Sequence, residues 1–257
     1  GAVLAQVPVL NSEQVLRSGT LSHAVSGVSC ERGLASTSNY LANNASFASI
    51  PKGHITPIVS ADGAIRKVPG LICVEGQAYP ALPVTAFLQA LNTQVWAATV
   101  RPGDSLFAPA QVMQLDAYPG LRIPLDAEGN LRISYRNSPE VYRAFSAADV
   151  LNGNIDRALL DNSWVLVGAT AFGIGDIVPT PYSGVTPGVE LQARILGSLL
   201  DTNVPYTPSG AFIFMLALCV LSAAILFALA GARERYASYG LPIAGALLPL
   251  FALGLHI

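Results

Sequence analysis

The sequence predicts an α/β fold: a mixed sheet with flanking helices and β-hairpins, followed by transmembrane α-helices. Three observations predict it. Strand and helix patterns alternate late in the polar part of the chain, which favours α/β layering. Asp62-Gly63 and the AEGN stretch at 127–130 are turn signals between apolar runs, the mark of hairpins. The composition also changes abruptly after Ser209. The 257 residues are 52% hydrophobic and 12% charged, with a mean hydropathy of +0.48, where soluble domains carry about 25% charged residues.

The elements follow from period and punctuation. Residues 2–9 alternate small and branched apolar side chains and read as a buried strand, without the basic region and cleavage site of a signal peptide. Residues 12–18 read as a short helix capped by Asn11 or Ser12, and 34–49 as loop with a short helix. Residues 54–60 and 64–74 form the first hairpin. Residues 81–91 carry the helical stripe Ala81, Val84, Phe87, Leu88 and Leu91. Residues 121–125 and 131–135 form the second hairpin, and 147–151 and 156–160 are short helices. Trp164 to Gly168, WVLVG, reads as a buried strand, and 189–200 as an amphipathic helix.

Residues 210–230 hold no charge. At about 1.5 Å per residue they span roughly 31 Å, close to the hydrocarbon thickness of about 30 Å. Residues 241–257 form a second, shorter uncharged run, with Pro242 at its start and Pro249 as a kink. The competing reading of each run is a buried core helix. Between them, residues 231–240 carry Arg233 and Arg235 against Glu234, whereas NVPYTPSG before the first run has no Lys or Arg. The positive-inside rule places 231–240 in the cytoplasm and 1–209 outside. The chain opens on Gly1 and stops within an apolar run, and is read as a fragment of a longer protein.

Composition also excludes. A formal net charge of −2 argues against nucleic acid as a partner. Three cysteines and three histidines at unpaired spacings predict neither a metal site nor a cofactor. No nucleophile elbow, zincin, Ser-x-x-Lys or Cys-x-x-Cys motif occurs, so no catalytic residue is assigned. An oxidised Cys30–Cys73 pair is permitted outside the cell, but Cys73 sits in an apolar strand and reads rather as a buried thiol.

Four ordered segments are more specific than any single motif. They are DGAIRKVP (Asp62–Pro69), IPLDAEGNLRISYR (Ile123–Arg136), FSAADVLNG (Phe145–Gly153) and the long run from WVLVGATAFGIGD to ILGSLL (Trp164–Leu200), with the apolar runs directly behind. This series resembles the type-two CHASE domain, an extracytoplasmic sensory module of bacterial receptors, over Ala2 to Ile257. The resemblance implies a multi-pass protein of the bacterial inner membrane with residues 1–209 periplasmic or extracellular. In that family the domain lies between an N-terminal membrane helix and usually three C-terminal ones. An effector follows, often a class III adenylate or guanylate cyclase, a histidine kinase or a serine/threonine kinase. The family's first half, third C-terminal helix and effector have no counterpart in these residues. The resemblance also implies a homodimer, and Ala224, Ala228 and Ala232, four apart, suit a close helix–helix contact.

The candidate ligand-binding residues are Gly168, Thr170, Gly173, Gly175 and Asp176 in the Gly-rich turn after WVLVG, together with Arg136. Such a turn presents backbone N–H groups to an anion at the carboxyl end of a sheet; equally, its glycines permit tight geometry and Asp176 accepts turn N–H groups. Arg136 either holds an anion through its planar fork or pairs with Asp149 or Asp176. Asp62, Arg66 and Lys67 read as turn chemistry and solvated strand charges, and Glu190 with Arg194 as a surface i,i+4 pair. The signal, a small molecule or a protein, is not specified. Two alternatives to a sensor share these features: a membrane-anchored enzyme with an unrecognised active site, and a purely dimerising ectodomain.

Overall fold

The computed structural model describes residues 1–10, 12, 14–31, 33–92, 96–170 and 176–230. Two compact units are distinguished: residues 1–103 with 109–207, and residues 104–108 with the chain from 208 onward.

The larger unit is mixed α/β, but it divides its strands among several small sheets instead of one. The chain runs β1 (Leu4–Val9), β2 (Arg17–Ser18), β3 (Ala35–Thr37), β4 (Asn39–Leu41), a 3-10 turn at Ala45–Phe47, β5 (Lys52–His54), β6 (Ile58–Val59), β7 (Ile65–Pro69), β8 (Leu71–Val74), β9 (Gln77–Pro80) and α1 (Leu82–Ala90). It continues through β10 (Ala98–Pro102), β11 (Gln111–Leu115), β12 (Tyr118–Leu125), β13 (Asn130–Arg132), α2 (Ala147–Leu151), β14 (Ile177–Val178), β15 (Thr186–Pro187) and α3 (Gly188–Leu200). The sheet orders are β2-β4-β1-β5, β3-β8-β9, β13-β7-β6, β10-β11-β12 and β14-β15. Strands β1 and β5, β2 and β4, and β3 and β8 pair in parallel.

Asp62-Gly63 turns β6 into β7 as its sequence predicts, with Gly63 at φ +83°. The Asp62 carboxylate accepts both Nη1 and Nη2 of Arg66 at 2.7 Å, and this pairing first, then the Ala64 N–H, holds its carboxyl down at about 2. Lys67 departs from a solvated charge: its Nζ donates to Asp126 at 2.6 Å in a half-buried pair.

Four expectations are corrected. The chain does turn at 126–130, where Gly129 N–H reaches Asp126 O at 3.1 Å, but the two flanking strands part. β12 pairs with β11 while β13 pairs with β7, so the second hairpin is a corner between sheets. No helix forms over the described part of 12–18. Arg17–Ser18 instead pairs with β4, and a short helix that orders its backbone for few hydrogen bonds loses to a ready strand edge. Residues 35–41 are strands instead of loop. WVLVG is neither buried nor paired: Val167 is 89% exposed. A strand needs an open edge, and the next two strands, β14 and β15, satisfy one another.

The larger of two apolar clusters has Leu71, Val84, Leu88, Met113, Ile123, Leu131, Leu191 and Ile195 among its buried members, and a smaller one gathers Ile72, Val74 and Tyr79. Helices α1 and α3 pack on each other within the larger cluster. Cys30 and Cys73 are bonded, S–S 2.06 Å. Cys73 lies on β8 opposite Ser36 of β3, so this apolar strand carries both a ladder partner and the bridge to Cys30.

In the second unit, α4 (Ala211–Ala230) realises the first uncharged run. None of Ala211–Ala228 is buried, and the helix is long and apolar enough to cross a membrane. The buried-core reading of this run is therefore set aside. Residues 231–257, with the second run and Ala232, lie outside the described residues.

Candidate functional site

Helix α3 organises the site. Its inward stripe is Leu191, Arg194, Ile195, Ser198 and Leu199, spaced as a helix face requires, and all five are buried. Arg194 is only 1% exposed, so Glu190–Arg194 is an internal pair rather than a surface one. Its Nε and Nη2 donate to Glu190 Oε1 at 3.0 and 2.8 Å, and Nη1 donates to the Asn137 carbonyl at 2.7 Å. Three rings close over the guanidinium, those of Tyr135, Tyr142 and Tyr182, with centroids 5.3, 5.6 and 5.3 Å from Cζ. The flat cation thus meets negative ring faces where it is not hydrogen-bonded.

The cage is locked from outside. Tyr135 Oη donates to the Ile65 carbonyl on β7, and Tyr182 Oη to the Tyr135 carbonyl, both at 2.6 Å. Burial pushes the Tyr135 hydroxyl up to about 12 against the pull of Arg194 and Arg66, and raises Tyr142 in the same way. Both rings therefore stay neutral at physiological pH. Tyr135 beyond β13, Tyr142 and Tyr182 thus meet α3 at this one arginine, and Tyr135 ties the cage to β7 through Ile65.

Beside the cage opens a polar pocket of about 240 Å³, lined by Arg136, Asn137, Tyr142, Ser198, Asp201 and Asn203 among others. Its lining combines a guanidinium, a carboxylate, hydroxyls and amides, donors and acceptors suited to a small polar or zwitterionic molecule. Arg136 pairs with neither Asp149 nor Asp176. Asp149 instead accepts from Asn154 Nδ2 at 3.3 Å.

Gly168 and Asp176 lie at the opposite end of the same helix. A Cβ on Gly168 would fall 2.6 Å from Val189 Cβ, so only a glycine lets the chain pass the first turn of α3 this closely. Gly188 N–H donates to the Asp176 carbonyl at 2.7 Å, and a Cβ on Gly188 would lie 2.4 Å from Asp176 Oδ2. A carboxylate of the chain itself thus sits at the positive end of α3. Thr170 is exposed, and Gly173 and Gly175 lie outside the described residues. Gly168 and Asp176 are thereby brought to one end of α3, and Arg136 to the pocket at the other.

A second polar group escapes sequence reasoning. Lys52 and His54 on β5 point to one face, opposite Leu4 and Gln6 of β1, and Gln6, Lys52 and His54 are all buried. Lys52 Nζ donates to Ser22 Oγ at 2.8 Å. Among the described residues, Gln6 Nε2 and both ring nitrogens of His54 have no partner within hydrogen-bond geometry. Burial drives the His54 imidazole down to about 3, with the Pro69 carbonyl opposing. It lowers the Lys52 ammonium as well. The available signal was Gly53 between them: a Cβ there would fall 2.4 Å from Leu82 Cα, which marks β5 as pressed against α1.

Among the described residues, no group of three His, Cys, Asp or Glu side chains is placed to hold a metal ion. The family model of the CHASE2 domain matches residues 9–231, from the end of β1 to just beyond α4. No curated protein and no solved structure matches the chain. A match over most of the chain, carrying both the α3 site and the apolar helix, makes it a member of the CHASE2 domain family, whose domains are extracytoplasmic and sensory, not catalytic.

Proposed function

We propose that residues 1–209 are the input module of a bacterial transmembrane receptor and that α4 carries its state across the inner membrane. The observation behind this is that the family match runs from the polar domain into a helix in which none of Ala211–Ala228 is buried. On this reading the receptor is a homodimer, and its effector, a cyclase or a histidine or serine/threonine kinase, lies beyond the membrane helices.

The ligand site of this reading is the polar pocket by Arg136, and α3 is its reporter. The helix lines the pocket near its C-terminus through Ser198, meets Gly168 and Asp176 at its N-terminus, and leads through residues 201–210 into α4. A ligand changes output only by binding one of two states more tightly. The pocket supplies such a preference if Asp201 and Arg136 close on a zwitterion, because Asp201 ends α3.

Alkaline phosphatase fused after residue 209 of a membrane-targeted chain should be active in a bacterial host, and fused after residue 235 inactive. The reverse pattern would sink the topology. An amino-acid library screened by thermal shift on the same protein in detergent should yield stabilising compounds whose effect Arg136→Ala removes. Equal stabilisation of the variant would move the ligand away from this pocket.

A further inference from the structure

The loop between β10 and β11 leaves its sheet and joins the start of α4. Ser209 N–H donates to the Ala108 carbonyl and Gly210 N–H to the Leu106 carbonyl, both at 2.8 Å, and Ser209 Oγ donates to the Ser105 carbonyl at 3.1 Å. The Phe107 ring stacks on Phe214, centroids 4.7 Å apart and planes 22° from parallel. The fit is close: a Cβ on Gly210 would lie 2.8 Å from Leu106 Cβ and 2.9 Å from its carbonyl oxygen. These contacts bridge about a hundred residues of chain, so they are not a product of local connectivity.

Having been fixed there, the loop leaves its apolar side chains outside. Leu106 is 50% and Phe107 68% exposed. Phe212, Ile213 and Met215 in the first turns of α4 are exposed too, so the loop tip and the helix start both present apolar side chains, joined by the Phe107–Phe214 stack. Exposed Leu and Phe at a loop tip gain nothing from water. A helix that enters a bilayer at Ala211 brings whatever is bound to residues 209, 210 and 214 to the headgroup and upper acyl region, where such side chains are favoured.

We propose that the β10–β11 loop is a membrane-interface anchor, its Leu106 and Phe107 seated in lipid beside the first turn of α4. This rests on the reading of α4 as membrane-spanning. It gives the bilayer a second hold on the input domain, through a loop whose flanking strand β11 contributes Met113 and Leu115 to the core. A shift of α4 relative to the membrane plane would then pull on β10 and β11 directly as well as through residues 201–210.

The test uses the full chain with Cys219→Ser, reconstituted in vesicles of phosphatidylcholine and phosphatidylglycerol. A nitroxide is placed singly at Leu106→Cys, Ala61→Cys, Ile213→Cys or Val220→Cys, and collision with oxygen is compared with collision with a neutral nickel chelate. The label at 106 should favour oxygen several-fold more than the aqueous control at 61 and resemble that at 213. If 106 behaves like 61 while 220 is shielded from nickel, the anchor is wrong and the spanning helix stands. If 220 is itself open to nickel, the spanning reading fails and the anchor with it. As a second probe that keeps an aromatic ring on Phe214, Phe107→Trp should add indole emission quenched by brominated lipid; unquenched added emission would also overturn the proposal.

Discussion

Two nitrogens of Arg194 converge on a single oxygen of Glu190, and the arginine is the more deeply buried partner. The pair is thus asymmetric. Removing the carboxylate leaves a desolvated cation with one carbonyl and three rings, whereas removing the arginine leaves an acid that still reaches solvent. Breaking a buried pair by deleting one partner costs about 3–5 kcal/mol. Glu190→Gln should therefore lower stability by about 3 kcal/mol in denaturant unfolding of the domain, and Glu190→Ala by at least as much. A change within about 0.5 kcal/mol, as surface pairs give, would show that the cage alone holds Arg194.

Lys52 predicts the opposite sign. Its ammonium is buried and donates to Ser22 Oγ, and among the described residues no carboxylate pairs with it. A charge in that setting loses hydration without a counter-charge, so Lys52→Met, of similar length, should stabilise by about 1–2 kcal/mol. In a domain of this size that raises the melting temperature by roughly 2–8 °C. A lowered melting temperature would mean that the Lys52–Ser22 bond outweighs the burial of charge.

His54 makes stability depend on pH. Its folded-state value is about 3, against 6.5 unfolded, because burial disfavours the imidazolium. Between those two values the unfolded chain holds a proton that the folded chain refuses. The contribution of neutral His54 is complete above pH 6.5 and is lost as pH falls toward 3, by about 1.4 kcal/mol per unit well inside the window. His54→Phe should flatten the acid limb of an unfolding-midpoint profile from pH 7 to 4. An unchanged slope would assign acid sensitivity to other groups.

What the sequence made legible follows the range of the physics. Short-range signals held: Asp62-Gly63 turned β6 into β7, the apolar stripe at 81–91 became α1, and the uncharged run became α4. Pairing partners were not legible. Nothing within 121–135 says that β13 prefers β7 to β12, because that choice is made by strands some sixty residues apart. WVLVG shows the same limit, since apolar alternation announces a strand but cannot supply its edge. Arg194 reads from charge and i,i+4 spacing as a surface partner of Glu190, yet it shares the inward stripe of α3 with Leu191, Ile195 and Ser198 and is buried. The aromatic cage was not legible, because Tyr135, Tyr142 and Tyr182 arrive from separate segments.

The Cys30–Cys73 bridge is hidden from the sequence for a related reason: an apolar strand says that Cys73 is buried and not what it touches. The two residues are 43 apart in sequence. Closing a loop of that length removes unfolded-state entropy equivalent to about 4 kcal/mol in the chain-entropy account, with about 2–4 kcal/mol typical in practice. Cys30→Ser and Cys73→Ser should each destabilise by about that amount, and the double variant by no more than the worse single one, because either change opens the same loop. Dithiothreitol should shift the parent's unfolding midpoint to match and leave the double variant unmoved. Maleimide labelling in denaturing detergent gives the direct reading: Cys219, the free thiol, should react without reductant, and Cys30 and Cys73 only after reduction. Labelling of all three cysteines at once would show the bridge absent and remove the loop-closure argument.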